Sequence, residues 1–191
     1  MTDVPERIDI AADAVVEQCR MAETLAAVGP EAATGIDAWT AADLAAHMRS
    51  QLALRGFAVF PGRWLVARGL RLNDVAHGAN DRMIATYRRR GFSANVARLR
   101  DGIPRLLLRP EVAAVTLFET WLHHDDLCRA NGIPHDDRRG SLDAAVDFAA
   151  RYQRTRLGGA AVERSEPSVE LLRWLGGRPS SLPPHEPPLR I

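Results

Sequence analysis

EVAAVTLFETWLHHDDLCRANGIP, residues 111–134, is the stretch on which the fold turns. At about 100° per residue, Val112, Val115, Leu122 and Ala130 fall on one side of a helix, while Leu117, Trp121 and Cys128 fall on the other. Asn131-Gly132 and Pro134 supply its stop. The spacing therefore predicts a helix over 111–130 that is apolar on both sides and embedded among other helices. Yet its second half carries Glu119, His123, His124, Asp125 and Asp126. A buried, unpaired carboxylate or histidinium is costly, and the remedies are ion pairing, neutralisation or a metal.

Working outward, Ile8, Ala11, Val15, Cys19, Ala22 and Ala26 recur at steps of three and four, which predicts an amphipathic helix over 6–28, closed by Gly29-Pro30. Cys19 lies on the expected core face as a packing residue. TAADLAAHMRSQLALRG opens with Thr40 and Asp43 in a capping-box arrangement and closes at Gly56. Helices are also expected over 80–90, 95–100 and 141–152, and WLVARGLRL after Pro61-Gly62 can form a short one. The arginines of YRRRGF suit a solvated helix end. Beyond Gly158, glycines and prolines flank a small element built on Val169, Leu171, Leu172, Trp174 and Leu175. The expected layout is a helical bundle over 1–157 with a short C-terminal appendage and tail over 158–191.

Composition narrows the chemistry. The 191 residues contain 25 Lys+Arg, 24 Asp+Glu and two cysteines, with a formal charge of +1. All the basic residues are arginine, so Schiff-base catalysis and the Walker lysine are excluded. Near-neutral charge gives no sign of nucleic-acid binding, and no apolar run approaches a membrane span. Two cysteines make no disulfide framework, and MTDVPERID does not resemble a signal peptide, so a cytoplasmic location is expected.

Glu119, His123 and Asp126 share one stripe of the long helix within roughly 60°. Glu119 and His123, four apart, stack a carboxylate and an imidazole one turn apart, a spacing that can grip one divalent cation. A third ligand must then come from another helix. His47, between Leu44 and Met48, is the remaining histidine set well inside an expected helix. The alternative is a buried hydrogen-bonded Glu119–His123 pair with no metal. His124 and Cys128 form a rival pair pointing away, and His124 and Asp125 are expected to serve packing or solvent.

Two segments carry a resemblance. WTAADLAAHMRSQL (39–52) resembles the first metal-ligand segment of the DinB-like bundles. FETWLHHDDLCRANGI (118–133) resembles the second segment of their mycothiol-dependent maleylpyruvate isomerase branch, and VELLRWLGGR (169–178) resembles part of that branch's small C-terminal domain. Glu119, where the wider family has His, is similar to the isomerase branch. The resemblance implies an all-α protein with a DinB-like four-helix bundle core. It also implies a divalent metal on His47, Glu119 and His123, zinc before nickel or iron, and mycothiol or a similar thiol as cofactor. Asp126 and Arg129 would bind or orient the thiol, and Asp126 and Arg178 would serve catalysis, Arg178 receiving a substrate carboxylate. The implied partners are a small thiol and an electrophilic substrate, and a second copy of the chain would suit such a bundle. A non-catalytic metal- or ligand-binding bundle, acting as a sensor or interaction module, is the alternative.

Overall fold

In the computed structural model, which describes residues 9–36, 38–58, 81–103, 110–135, 141–153 and 167–182, the regular elements are helices. Seven occur among the described residues: α1 (Ile10–Val28), α2 (Ala41–Ala58), α3 (81–88), α4 (Phe92–Arg100), α5 (Pro110–Ala130), α6 (Ser141–Gln153) and α7 (Ser168–Leu175). A backbone bridge, Ala33 to Thr40, pinches the loop between α1 and α2. WLVARGLRL and residues 1–8 lie outside the described residues. The described residues are all-α, as expected.

Helix ends follow local chemistry. The Asp9 carboxylate accepts the N–H groups of Ala11 and Ala12 at 3.1 Å each, satisfying donors that the first turn of α1 leaves open. At the start of α2, the Thr40 N–H donates to Asp43 at 3.0 Å and the Asp43 N–H to the Thr40 hydroxyl at 3.4 Å, the reciprocal box read from the sequence. One boundary differs: α2 continues through Gly56 to Ala58. A glycine inside a helix costs only about 1 kcal/mol and need not end it. Another is α4, which begins at Phe92, three residues early, because Gly91 at φ 88° turns the chain directly into it.

The buried face of α1 is not the expected one. Ala14, Glu17, Gln18, Met21, Ala22 and Leu25 are buried, whereas Ala26 is exposed and Ala11, Val15 and Cys19 are half-buried. The helix is turned by about a quarter of a revolution from the apolar stripe. Hydrogen bonding explains the difference, since Gln18 donates to the Leu99 carbonyl at 2.8 Å and Glu17 accepts from two histidines. Satisfied polar groups can occupy a core face that an apolar pattern assigns elsewhere.

Helix α5 lies at the centre, packed against α1, α2, α6 and α7. Leu117, Trp121, Leu122 and Leu127 join Met21, Leu25, Leu44, Leu99 and Leu142 in one buried cluster. Leu171, Leu172 and Leu175 of α7 belong to the same cluster, so the C-terminal element shares the core instead of forming its own. Burying each such leucine contributes about 1.5–3 kcal/mol. At the far end of α5 the Ile133 N–H closes on the Cys128 carbonyl at 2.9 Å, as the Asn131-Gly132 stop implies. The Asn131 side chain then donates to the Ala33 carbonyl at 2.9 Å, fixing the α1–α2 loop against α5. No helix among the described residues is long and apolar enough to cross a membrane.

Candidate functional site

Consecutive residues on α5 point to different neighbours, so the HHDD run of 123–126 feeds two separate clusters. His123 and Asp126 turn toward α2 and the segment after α7. His124 and Asp125 turn toward α1, the α5–α6 connection and α7.

In the first cluster, His47 and His123 meet edge to face with ring centroids 5.1 Å apart, both buried. Trp39 closes the other side of His47, its ring 4.9 Å away. Leu44 and Met48, which flagged His47 as inward, are buried as expected. Asp126 lies 3.8 Å from His123 Nδ1, and Arg178 grips its carboxylate through Nε at 2.9 Å and Nη2 at 2.9 Å. Burial pushes the Asp126 carboxyl upward despite the pull of Arg178. Glu119 sits half-buried one turn earlier on α5.

In the second cluster, Glu17 on α1 is fully buried and its Oε1 meets His124 Nδ1 at 2.6 Å and His135 Nε2 at 2.8 Å. The outer nitrogens are also engaged: His124 Nε2 with the Thr24 hydroxyl at 2.8 Å, and His135 Nδ1 with Asp125 at 3.4 Å. Asp125 is in turn held by Arg173, whose Nε and Nη2 each donate at 2.8 Å. Burial opposes charge on His135, but its hydrogen bonds to Asp125 and Glu17 win and push its pKa up to about 9. A cavity of about 260 Å³ opens beside this cluster, lined by Arg20, Glu23, Thr24, His124, Pro134 and His135.

The expected residues thus fare differently. His47, His123 and Asp126 are brought together. The set of three His, Cys, Asp or Glu ligand atoms lying within 4.8 Å of one another among the described residues is Glu17, His124 and His135, and this group could hold a metal ion. Glu119 does not complete so tight a set with His47 and His123. Arg178 is committed to Asp126, and Arg129 is exposed near the end of α5. His124 and Asp125 serve neither apolar packing nor solvent: each is buried and hydrogen-bonded. Glu17 and His135 are the residues the sequence reading missed. The available signal was a Glu17-Gln18 pair within a helix that must bury a face, and a histidine fixed just after Pro134.

Cys128, the rival partner of His124, is buried, and burial pushes its thiol up to about 11. It is neither a thiolate nor a ligand in the triad. Two of the three YRRRGF arginines have partners within the protein: Arg88 pairs with Asp43 at 2.9 Å, and Arg90 lies 4.3 Å over the Tyr87 ring.

Fold and clusters together define an all-α protein with two histidine centres on one central helix. No protein-family model matches the chain, and neither a curated protein nor a solved structure similar to it is found.

Proposed function

We propose that the chain is a DinB-like four-helix-bundle metalloenzyme that uses a low-molecular-weight thiol, mycothiol or a close analogue, to attack a small electrophile in an isomerisation or an S-transfer. The observation that carries this reading is the contact of His47 with His123, two buried imidazoles from different helices whose rings stand 5.1 Å apart. Their donor chemistry fits a divalent metal. Two imidazole nitrogens, with Glu119 swung in from one turn before His123 as the oxygen donor, would form a set that zinc favours and that nickel or iron accepts. When bound, the metal would supply a lowered thiol pKa, so that the thiol reacts as thiolate at neutral pH.

The chain's own groups have separable tasks. His47 is wedged by Trp39, and Asp126, which Arg178 clamps, stands 3.8 Å from His123 Nδ1, where it can orient that ring once a ligand draws the two together. Asp126 is thus a positioning residue, and Arg178 acts through it. Cys128 does not supply the thiolate, since burial pushes its thiol up to about 11. In S-transfer the thiolate sulfur forms a bond to carbon as the leaving group departs with its electron pair. In isomerisation the sulfur adds to a double bond and leaves again, so the thiol is regenerated.

A second reading, a non-catalytic metal- or ligand-binding bundle, draws on Arg178 being committed to Asp126 instead of facing a substrate. Mycothiol consumption with chlorodinitrobenzene for S-transfer, and mycothiol-dependent cis–trans conversion of an unsaturated acid for isomerisation, both measured on metal-loaded protein, separate the two. The enzyme reading expects a saturable rate that falls at least a hundredfold in His47→Ala. A rate equal to that of protein-free solution favours the module.

A further inference from the structure

The Glu17 cluster plays no part in the chemistry proposed above, and its construction is that of a ligand site. Its three donors come from three parts of the chain: Glu17 from α1, His124 from α5 and His135 from the α5–α6 connection. Each imidazole offers one nitrogen to the centre, and the opposite nitrogen is held by an outer group. Thr24 holds His124 Nε2 and Asp125 holds His135 Nδ1. Once the inner protons leave, such outer partners would keep the remaining proton on the outer nitrogen and the inner one able to ligate. The support extends further out, since Arg173 fixes Asp125 and the Trp121 ring lies 5.1 Å from that of His135.

We propose that Glu17, His124 and His135 form a second metal site, a mononuclear zinc-type centre whose open position faces the cavity between α1 and the α5–α6 connection. Glu17 Oε1, His124 Nδ1 and His135 Nε2 are the protein ligands. Two imidazoles and one carboxylate with a vacant position is the pattern of a reactive zinc centre, not a closed structural one. The cavity of about 260 Å³ admits water and a small anion beside His124 and His135.

The distances have a direct interpretation. Donor atoms on one tetrahedral zinc ion stand about 3.3 Å apart, given metal–ligand bonds of about 2.0–2.1 Å. Here Glu17 Oε1 stands 2.6 Å and 2.8 Å from the two nitrogens, hydrogen-bond distances. Protons bridge the donors in this state, and a metal entering between them would displace those protons and spread the donors by roughly 0.5–0.7 Å. The site is independent of His47 and Glu119, so it stands or falls apart from the thiol chemistry.

The test is titration of the full-length, tag-free chain with Zn²⁺ alone, followed by long-range proton–nitrogen NMR of the imidazole rings. The expected result is a metal-induced shift of His124 Nδ1 and His135 Nε2, while His124 Nε2 and His135 Nδ1 keep their outer hydrogen bonds. Glu17→Gln should weaken this binding at least tenfold, and Asp125→Asn by 10–100-fold, about what loss of an outer partner costs. His47→Ala should leave the two shifts intact. If His124 and His135 do not respond to saturating Zn²⁺ in the unmodified chain, the cluster is a proton-bridged network and the proposal is overturned, whether or not the variants fold.

Discussion

Arg173 and Asp125 are locked together by two parallel contacts of 2.8 Å, the guanidinium Nε and Nη2 each meeting one carboxylate oxygen. The pair joins α7 to the most buried part of α5, with the Asp125 side chain only 2% exposed. Removing the arginine leaves that buried carboxylate with His135 alone, at 3.4 Å, so the loss lies below the ~3–5 kcal/mol of a fully broken buried pair. Arg173→Ala should therefore lower the urea midpoint strongly, and Arg173→Lys should restore only part of the loss, because an ammonium cannot match the planar fork. Equal stability of Arg173→Ala and the parent chain would show that α7 is not anchored through Asp125.

Stability should fall at both ends of the pH scale for separate reasons. Burial pushes the Asp125 carboxyl up, but the hydrogen bonds from Arg173 and His135 outweigh it and hold the group well below the usual carboxylate range. Its contribution is present above the ordinary value of 3.8 and is lost as pH falls toward the folded-state value. For His135 the sign reverses: raised from 6.5 to about 9, it contributes fully below pH 6.5 and loses that contribution as pH rises through about 9. Urea midpoints measured without metal from about pH 6 to about pH 10 should decline. His135→Gln should flatten that decline.

Cys128 should be chemically silent in the native protein. Its thiol is buried and pushed up to about 11, chiefly by burial and then by the nearby Asp125 and Glu17. Iodoacetamide at neutral pH should leave Cys128 unmodified until denaturant is added, as read by peptide mass spectrometry. Cys128→Ala should leave thiol-dependent turnover unchanged.

Gly35 carries the loop that presses against the end of the site helix. It sits at φ +72°, and an added Cβ would lie 3.3 Å from the Asp126 carbonyl oxygen. Gly35→Ala should cost about 1–2 kcal/mol through the left-handed backbone alone. Thermal unfolding would register that as a lower midpoint.

The all-α class, the central helix and the inward position of His47 were legible because each rests on local periodicity and end signals. His47 is flagged by Leu44 and Met48, and the helix over 111–130 by apolar residues all round. Glu17 was not legible. Its burial depends on His124 and His135, more than 100 positions away, and no pattern within α1 announces an acid satisfied from such a distance. The same holds for Asp125 and Asp126. Spacing separates their directions on the helix, but the guanidinium that meets each comes from α7 or the turn after it.

The most direct measurement of the central claim is transition-metal content together with thiol turnover, in tag-free wild-type and His47→Ala proteins loaded under identical conditions. The account predicts that His47→Ala loses one equivalent of metal and at least a hundredfold in mycothiol-dependent rate, and that it keeps the metal held by Glu17, His124 and His135. A wild-type chain that binds no stoichiometric metal, or a turnover indifferent to His47→Ala, would contradict it.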